Sequence, residues 1–144
     1  MLEIRVKIDP VSLSVNKHFK NGTIVHPDVQ KAQKVVKKAT EGAMNLQRPT
    51  FAPDSFLKIE FVFTFRTARA DLDNPLKRTL DAIADVVGFN DSRVWDIHLK
   101  RRIGEPEVWA FIEEMEVGDY LPEGYKPPMQ EAEWLVDEWE LTSD

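Results

Sequence analysis

The chain has 144 residues, of which 42% are hydrophobic and 31% are charged, a balance typical of one globular domain. It contains no cysteine, which excludes disulfides, thiolate metal sites and cysteine nucleophiles and favours a reducing, cytoplasmic location. The formal net charge is -6, but residues 1–110 hold 18 Lys and Arg against 14 Asp and Glu, whereas residues 111–144 hold one lysine against 11 acids.

The N-terminal third predicts a strand, a loop and a helix. Apolar and polar residues alternate over residues 2–8, the pattern of a strand with one buried face, and a proline then ends it. Residues 11–27 are expected to form a loop around an Asn-Gly turn, with a short strand at residues 23–25. Apolar residues then recur at helical spacing from Asp28, a candidate N-cap, and fade before Pro49.

The middle of the chain predicts a central strand followed by an amphipathic helix. Residues 56–66 are the strongest strand signal, because five large apolar residues alternate with polar ones. Apolar residues between Leu76 and Val87 then form one stripe of a helix. Gly88 is expected to end this helix in the left-handed conformation.

The last third predicts a hairpin, a linker and a helix. Residues 93–103 and 107–116 alternate apolar and polar side chains, and the Gly-Glu-Pro link between them predicts an antiparallel hairpin. Residues 119–128 form a linker punctuated by proline and glycine, and residues 129–141 return to helical spacing.

These elements predict two regions. Residues 1–117 are expected to form an α+β domain with a mixed β-sheet and two main helices. Residues 118–144 are expected to hold the linker and an acidic amphipathic C-terminal helix.

Two carboxylates, Asp71 and Asp73, stand one residue apart just before the second helix. Alternate side chains of an extended segment share a face, so both are expected to point the same way. Asn74 suits the helix cap, Pro75 suits the first helical position, and Lys77 follows one turn later. Because like charges repel, a hard divalent cation is a candidate occupant between the two acids. The alternative is a plain helix cap with a solvated aspartate and an exposed lysine.

A third carboxylate, Asp91, lies in a turn after the second helix. A helix of about 14 residues would carry Gly88 roughly 20 Å from the acidic pair. Asp91 therefore joins the pair only if the next segment runs back along the helix. The alternative is an ordinary turn residue.

Residues 69–96 read RADLDNPLKRTLDAIADVVGFNDSRVWD. This stretch resembles the core signature of the RusA-type Holliday-junction resolvases, R-x-D-L-D-N-x-x-K, a helix, and then D-x-x-V-x-D. The N-terminal loop with its following helix, at residues 12–33, and the strand at residues 57–65 are similar to the family as well. The resemblance covers about residues 2–116.

The resemblance implies a homodimeric, magnesium-dependent endonuclease that resolves four-way DNA junctions by paired nicks, with Mn²⁺ as a substitute for Mg²⁺. It places Asp71, Asp73 and Asp91 on the metal-binding catalytic carboxylates and Lys77 on the catalytic lysine. Asn90 departs from the acidic residue that the family often has before the third aspartate. No segment reaches the roughly 18 consecutive apolar residues that a membrane span requires. We expect a bacterial cytoplasmic enzyme of phage or prophage origin.

Branched DNA is expected to contact basic and polar residues that flank the acidic site. The candidates are Asn16, Lys17, Lys20, Arg66, Arg69, Arg93, Lys100, Arg101 and Arg102. The C-terminal helix could pack its two tryptophans onto the domain or across a dimer, or its acids could compete with DNA for the basic surface. Two rival functions stay open: a DNA-binding protein that does not cleave, and a metal-dependent nuclease with relaxed structure specificity.

Overall fold

The computed structural model describes residues 1–14, 27–53, 55–116 and 123. This part of the chain folds into one four-stranded sheet and two α-helices. The strands are β1 (Leu2–Val6), β2 (Phe56–Phe65), β3 (Val94–Ile103) and β4 (Glu107–Met115), and the helices are α1 (Pro27–Gln47) and α2 (Leu76–Val87). The α+β class with two main helices is confirmed. The predicted strand at residues 23–25 and the predicted C-terminal helix lie outside the described residues.

The strands lie in the order β1-β4-β2-β3. β2 is an interior strand, as predicted, and it pairs antiparallel with β4 and parallel with β3, so the sheet is mixed. The predicted hairpin of β3 and β4 is wrong, because β2 lies between them. The short link from β3 to β4 crosses the end of β2, so it spans about 10 Å, which is twice the distance between neighbouring strands. In this link, Gly104 N donates to Phe65 O at 2.9 Å.

One face of β2 forms the centre of the hydrophobic core. Its five apolar residues are each at most 1% exposed, and they are Leu57, Ile59, Phe61, Phe63 and Phe65. Ala32 and Val36 of α1 and Leu80 and Ile83 of α2 belong to the same buried cluster. Both helices therefore cover this face of the sheet, which the period-two and period-3.6 patterns predict.

The ends of the elements differ from the prediction by a few residues. β1 ends at Val6, and the carboxylate of Asp9 then accepts from Val11 N at 3.0 Å to cap a short 3₁₀ helix. α1 begins at Pro27, so Asp28 lies in its first turn instead of preceding it. Gly88 ends α2 with φ of 90°, which confirms the predicted left-handed residue.

The opposite face of the sheet carries aromatic side chains and ion pairs. Trp109 and Phe111 pack with ring centroids 4.8 Å apart, and Arg5 lies over Trp109 while pairing with Glu107 at 2.8 Å. No helix among the described residues is long and apolar enough to span a membrane.

The buried phenylalanine stack of β2 predicts a large effect of truncation. Phe63→Ala should lower the free energy of unfolding by about 3–5 kcal/mol, since it removes a fully buried ring and leaves a cavity. Urea denaturation measures the loss. Ile103→Ala, at a side chain that is 55% exposed, is the control and should cost less than about 1 kcal/mol. Equal losses in the two variants would contradict this description of the core.

Candidate active site

The acidic segment leaves the sheet at the end where β2 and β3 both finish. These strands run parallel, and Thr64 and Phe65 at the end of β2 stand beside Arg102 and Ile103 at the end of β3. The carboxyl ends of parallel strands meet at one edge of a sheet. The topology thus brings the basic end of β3 next to the segment at residues 66–75.

Residues 72–75 form a turn that leads into α2. Leu76 N donates to Asp73 O at 3.1 Å, so the chain is already turning at Asp73 and is not extended as predicted. Asn74 does not cap the helix, because α2 begins at Leu76 and no side chain caps it. The Asn74 amide instead donates to Asp71 Oδ2 at 3.3 Å.

The Asp91 carboxylate lies near the ammonium of Lys77, a residue in the first turn of α2. The Lys77 Nζ atom lies 4.0 Å from Asp91 Oδ2 and 3.1 Å from Asp81 Oδ1. The segment after α2 therefore brings the Asp91 carboxylate beside the Lys77 ammonium, but it does not bring it into one group with Asp71 and Asp73. Asp81 was missed by the sequence analysis, although its spacing of four residues from Lys77 places both side chains on one helix face.

A shallow cavity of ≈ 190 Å³ lies beside this turn. Its polar lining includes Arg69, Asp71 and Asn74, and its apolar lining includes Phe65 at the end of β2. Ser14, the last residue of the first described segment, lines the same cavity. Of the three predicted catalytic aspartates, Asp71 alone lines it.

The three aspartates do not share one coordination shell in this structure. Within residues 1–14, 27–53, 55–116 and 123, no three acidic or histidine side chains stand close enough to hold one metal ion. Asp71, Asp73 and Asp91 are all exposed, and carboxylate oxygens are the donors that Mg²⁺ prefers. Their chemistry fits the ion, and a shared ion requires the three carboxylates to stand closer together than they do in this structure.

The predicted DNA-contact residues fall into distinct environments. Arg66, Arg69 and Arg102 are exposed and make no ion pair with any other residue that the structure describes. Lys100 is exposed but pairs with Glu60 at 2.7 Å on the face of the sheet opposite the helices. Asn16, Lys17 and Lys20 lie outside the described residues.

Arg101 and Arg93 make internal contacts instead of presenting a free charge. Arg101 Nη1 donates to Ala68 O at 2.7 Å. Arg93 is only 8% exposed, and its guanidinium donates to Ala52 O at 2.7 Å and to Ser55 O at 2.9 Å. Arg93 therefore lies in the interior of the domain, and we remove it from the set of DNA contacts.

The chain matches the protein family described as Endodeoxyribonuclease RusA over residues 8–113. The matched span contains residues 71–75, here called the acidic turn, together with α2 and the segment that carries Asp91. The comparison with curated proteins gave no match.

Arg93 is predicted to stabilise the fold without contributing to DNA affinity. Arg93→Ala should lower the free energy of unfolding by about 1.5–3 kcal/mol, because part-buried acceptors of residues 52 and 55 lose a charged donor. Denaturant titration measures this loss. Arg102→Ala, the same change at an exposed arginine, should leave stability within about 0.5 kcal/mol. An unchanged stability of Arg93→Ala, together with weaker DNA binding, would return Arg93 to the DNA-contact set.

Proposed function

The chain belongs to the RusA endodeoxyribonuclease family, and we propose that it is a metal-dependent nuclease that resolves four-way DNA junctions. The observation that carries the proposal is the position of Lys77. Its ammonium lies 4.0 Å from Asp91 and follows directly after the turn that holds Asp71 and Asp73. Lys77 thus stands between two parts of the proposed site, the segment that carries Asp71 and Asp73 and the turn that carries Asp91.

Asp71, Asp73 and Asp91 are the proposed ligands of the metal ion, with Mg²⁺ as the physiological ion and Mn²⁺ as its substitute. When bound, such an ion activates a water molecule and neutralises charge on the phosphoryl group. Asp71 and Asp73 lie on a short turn whose backbone is fixed by the hydrogen bond from Leu76 N to Asp73 O. One short segment at the start of α2 therefore carries both carboxylates.

Lys77 is proposed to stabilise the negative charge that develops on the phosphate during cleavage. Its side chain is 62% exposed, so it is accessible to a DNA backbone, while Asp81 and Asp91 hold its ammonium beside α2. A fixed cation near the reacting phosphate needs no reorganisation when charge develops, and this is the basis of electrostatic catalysis.

The DNA backbone is proposed to contact the exposed arginines around the acidic turn. Arg66 and Arg69 belong to the loop that carries Asp71, and Arg102 lies at the end of the neighbouring strand. Lys100 joins them at the expense of its ion pair with Glu60, and Asn16, Lys17 and Lys20 remain proposed contacts. Such contacts displace counterions, so DNA affinity should fall steeply with salt.

Paired nicking is proposed to arise from a homodimer. Each protomer holds one acidic turn, and cutting two strands of like polarity requires two such sites related by symmetry. A twofold dimer matches the approximate twofold symmetry of a four-way junction. Each of the two sites would then nick one of the two strands of like polarity.

Cleavage of a synthetic junction tests the proposed activity. Purified protein should nick a mobile four-way junction at symmetric positions when Mg²⁺ is present, and should leave a linear duplex of the same sequence intact. Denaturing gels with end-labelled strands map the nicks, and EDTA is the control. Binding without cleavage would indicate a junction-binding protein, and equal cleavage of duplex, flap and junction would indicate a nuclease with relaxed specificity.

Asp73→Asn tests the acidic turn. The change should lower the cleavage rate by roughly 10²-fold or more, because it removes a charged ligand while keeping the shape of the side chain. Junction affinity without metal should be preserved, which gel-shift titration measures.

Asp85→Asn is the matched control for this change. Asp85 lies on α2 but pairs with Lys37 of α1 at 3.0 Å, on the surface and outside the proposed site. Its variant should cleave the junction as the unaltered protein does. An active Asp73→Asn variant would remove Asp73 from the mechanism.

A further inference from the structure

The loop at residues 66–70 joins β2 to the acidic turn, and one side chain ties it to another element. Arg101 of β3 donates from Nη1 to Ala68 O at 2.7 Å. In the part of the chain that the structure describes, this is the hydrogen bond that links residues 66–70 to a different strand or helix. Inside the loop, Arg69 N donates to Thr67 Oγ1 at the long distance of 3.4 Å.

The same guanidinium also contacts the residue that precedes the loop. Arg101 Cζ lies 5.4 Å from the centroid of the Phe65 ring, within the range of a cation–π contact. Phe65 is the last residue of β2 and is 1% exposed, so its ring is a fixed part of the core. Arg101 therefore joins a rigid strand end to the loop that leads to Asp71.

Arg101 differs in this respect from its neighbour in sequence. Successive side chains of a strand point to opposite faces, so Arg101 and Arg102 of β3 lie on opposite faces of the sheet. Arg102 is exposed and makes no ion pair with any other described residue. Arg101 is exposed as well, but its guanidinium is occupied by the loop carbonyl and the ring. The basic run Lys-Arg-Arg thus contains two arginines in different surroundings.

We infer that Arg101 is a positioning residue for Asp71, which acts by holding residues 66–70 against the ends of β2 and β3. The planar guanidinium is suited to this task, since it donates to a carbonyl and lies over a ring at once, whereas a lysine ammonium lacks the flat face. Small displacements of a reacting group cost large factors in rate. The inference rests on the proposed nuclease function, because the position of this loop affects cleavage only if Asp71 takes part in it.

Three variants separate positioning from a DNA contact: Arg101→Gln, Arg101→Lys and Arg102→Gln. Arg101→Gln should lower the single-turnover cleavage rate at saturating protein by roughly 10- to 100-fold. Its junction dissociation constant without metal should stay within about twofold of the unaltered value. Arg101→Lys should show the same loss of rate, since it keeps the charge but not the planar group. Arg102→Gln should instead weaken junction binding and reduce its salt dependence.

Backbone ¹⁵N relaxation gives a readout that does not depend on cleavage. Order parameters of residues 66–71 should fall below about 0.6 in Arg101→Gln and Arg101→Lys and stay higher in Arg102→Gln. Order parameters of β2 should be alike in all three variants, which shows that the fold is retained. If the unaltered protein fails to cleave DNA, the proposed function fails, yet this comparison still tests the contact itself.

Two results would overturn the inference. Full rescue of the rate by Arg101→Lys, together with weaker junction binding by Arg101→Gln, would make Arg101 a phosphate contact. Unchanged order parameters of residues 66–71 in both Arg101 variants would show that the guanidinium does not hold the loop.

Discussion

The parallel pairing of β2 with β3 is the constraint on which the site depends. Two parallel neighbours need a crossover between them, and here α2 provides it. The crossover begins where β2 ends, so the acidic turn at residues 71–75 forms at the same edge of the sheet as the basic end of β3. The five apolar residues on the helix-facing side of β2 are buried in the core. They hold β2 in place, and β2 in turn positions the two strands that pair with it.

The local elements could be predicted from the sequence because their signals are local. Alternation in β2, the apolar stripe of α2 and the left-handed Gly88 all depend on residues within one element. Strand order is not a local property. The alternation of apolar and polar residues in β3 and β4 indicates only that each strand has one face on the core. The pattern therefore cannot distinguish a hairpin from two strands separated by β2.

The helix start shows a similar limit. Asn74 has the chemistry of a cap, but its amide finds an acceptor in Asp71 three residues earlier, and the helix begins after Pro75 without a side-chain cap. A short polar side chain can serve either the helix or the preceding turn. The sequence placed the acids at the start of α2 correctly, and the competition for the amide is visible only in three dimensions.

The basic residues show why charge alone predicts a site incompletely. Arg93 is buried against backbone carbonyls, Arg101 ties down a loop, and Lys100 pairs with Glu60, while Arg69 and Arg102 remain exposed. All five have the same signature in the sequence, a cation near the acidic motif. Their roles differ because burial and the presence of a nearby acceptor depend on tertiary contacts. Conversely, Asp81 joined the site through its contact with Lys77.

The proposed cleavage depends most on three separated carboxylates acting on one metal ion, although they stand apart in this structure. Anomalous diffraction from a crystal soaked in Mn²⁺ tests this directly. An anomalous peak is expected at the beginning of α2, bound by oxygens of Asp71, Asp73 and Asp91. A peak that excludes Asp91, or no peak at this end of the sheet, would contradict it.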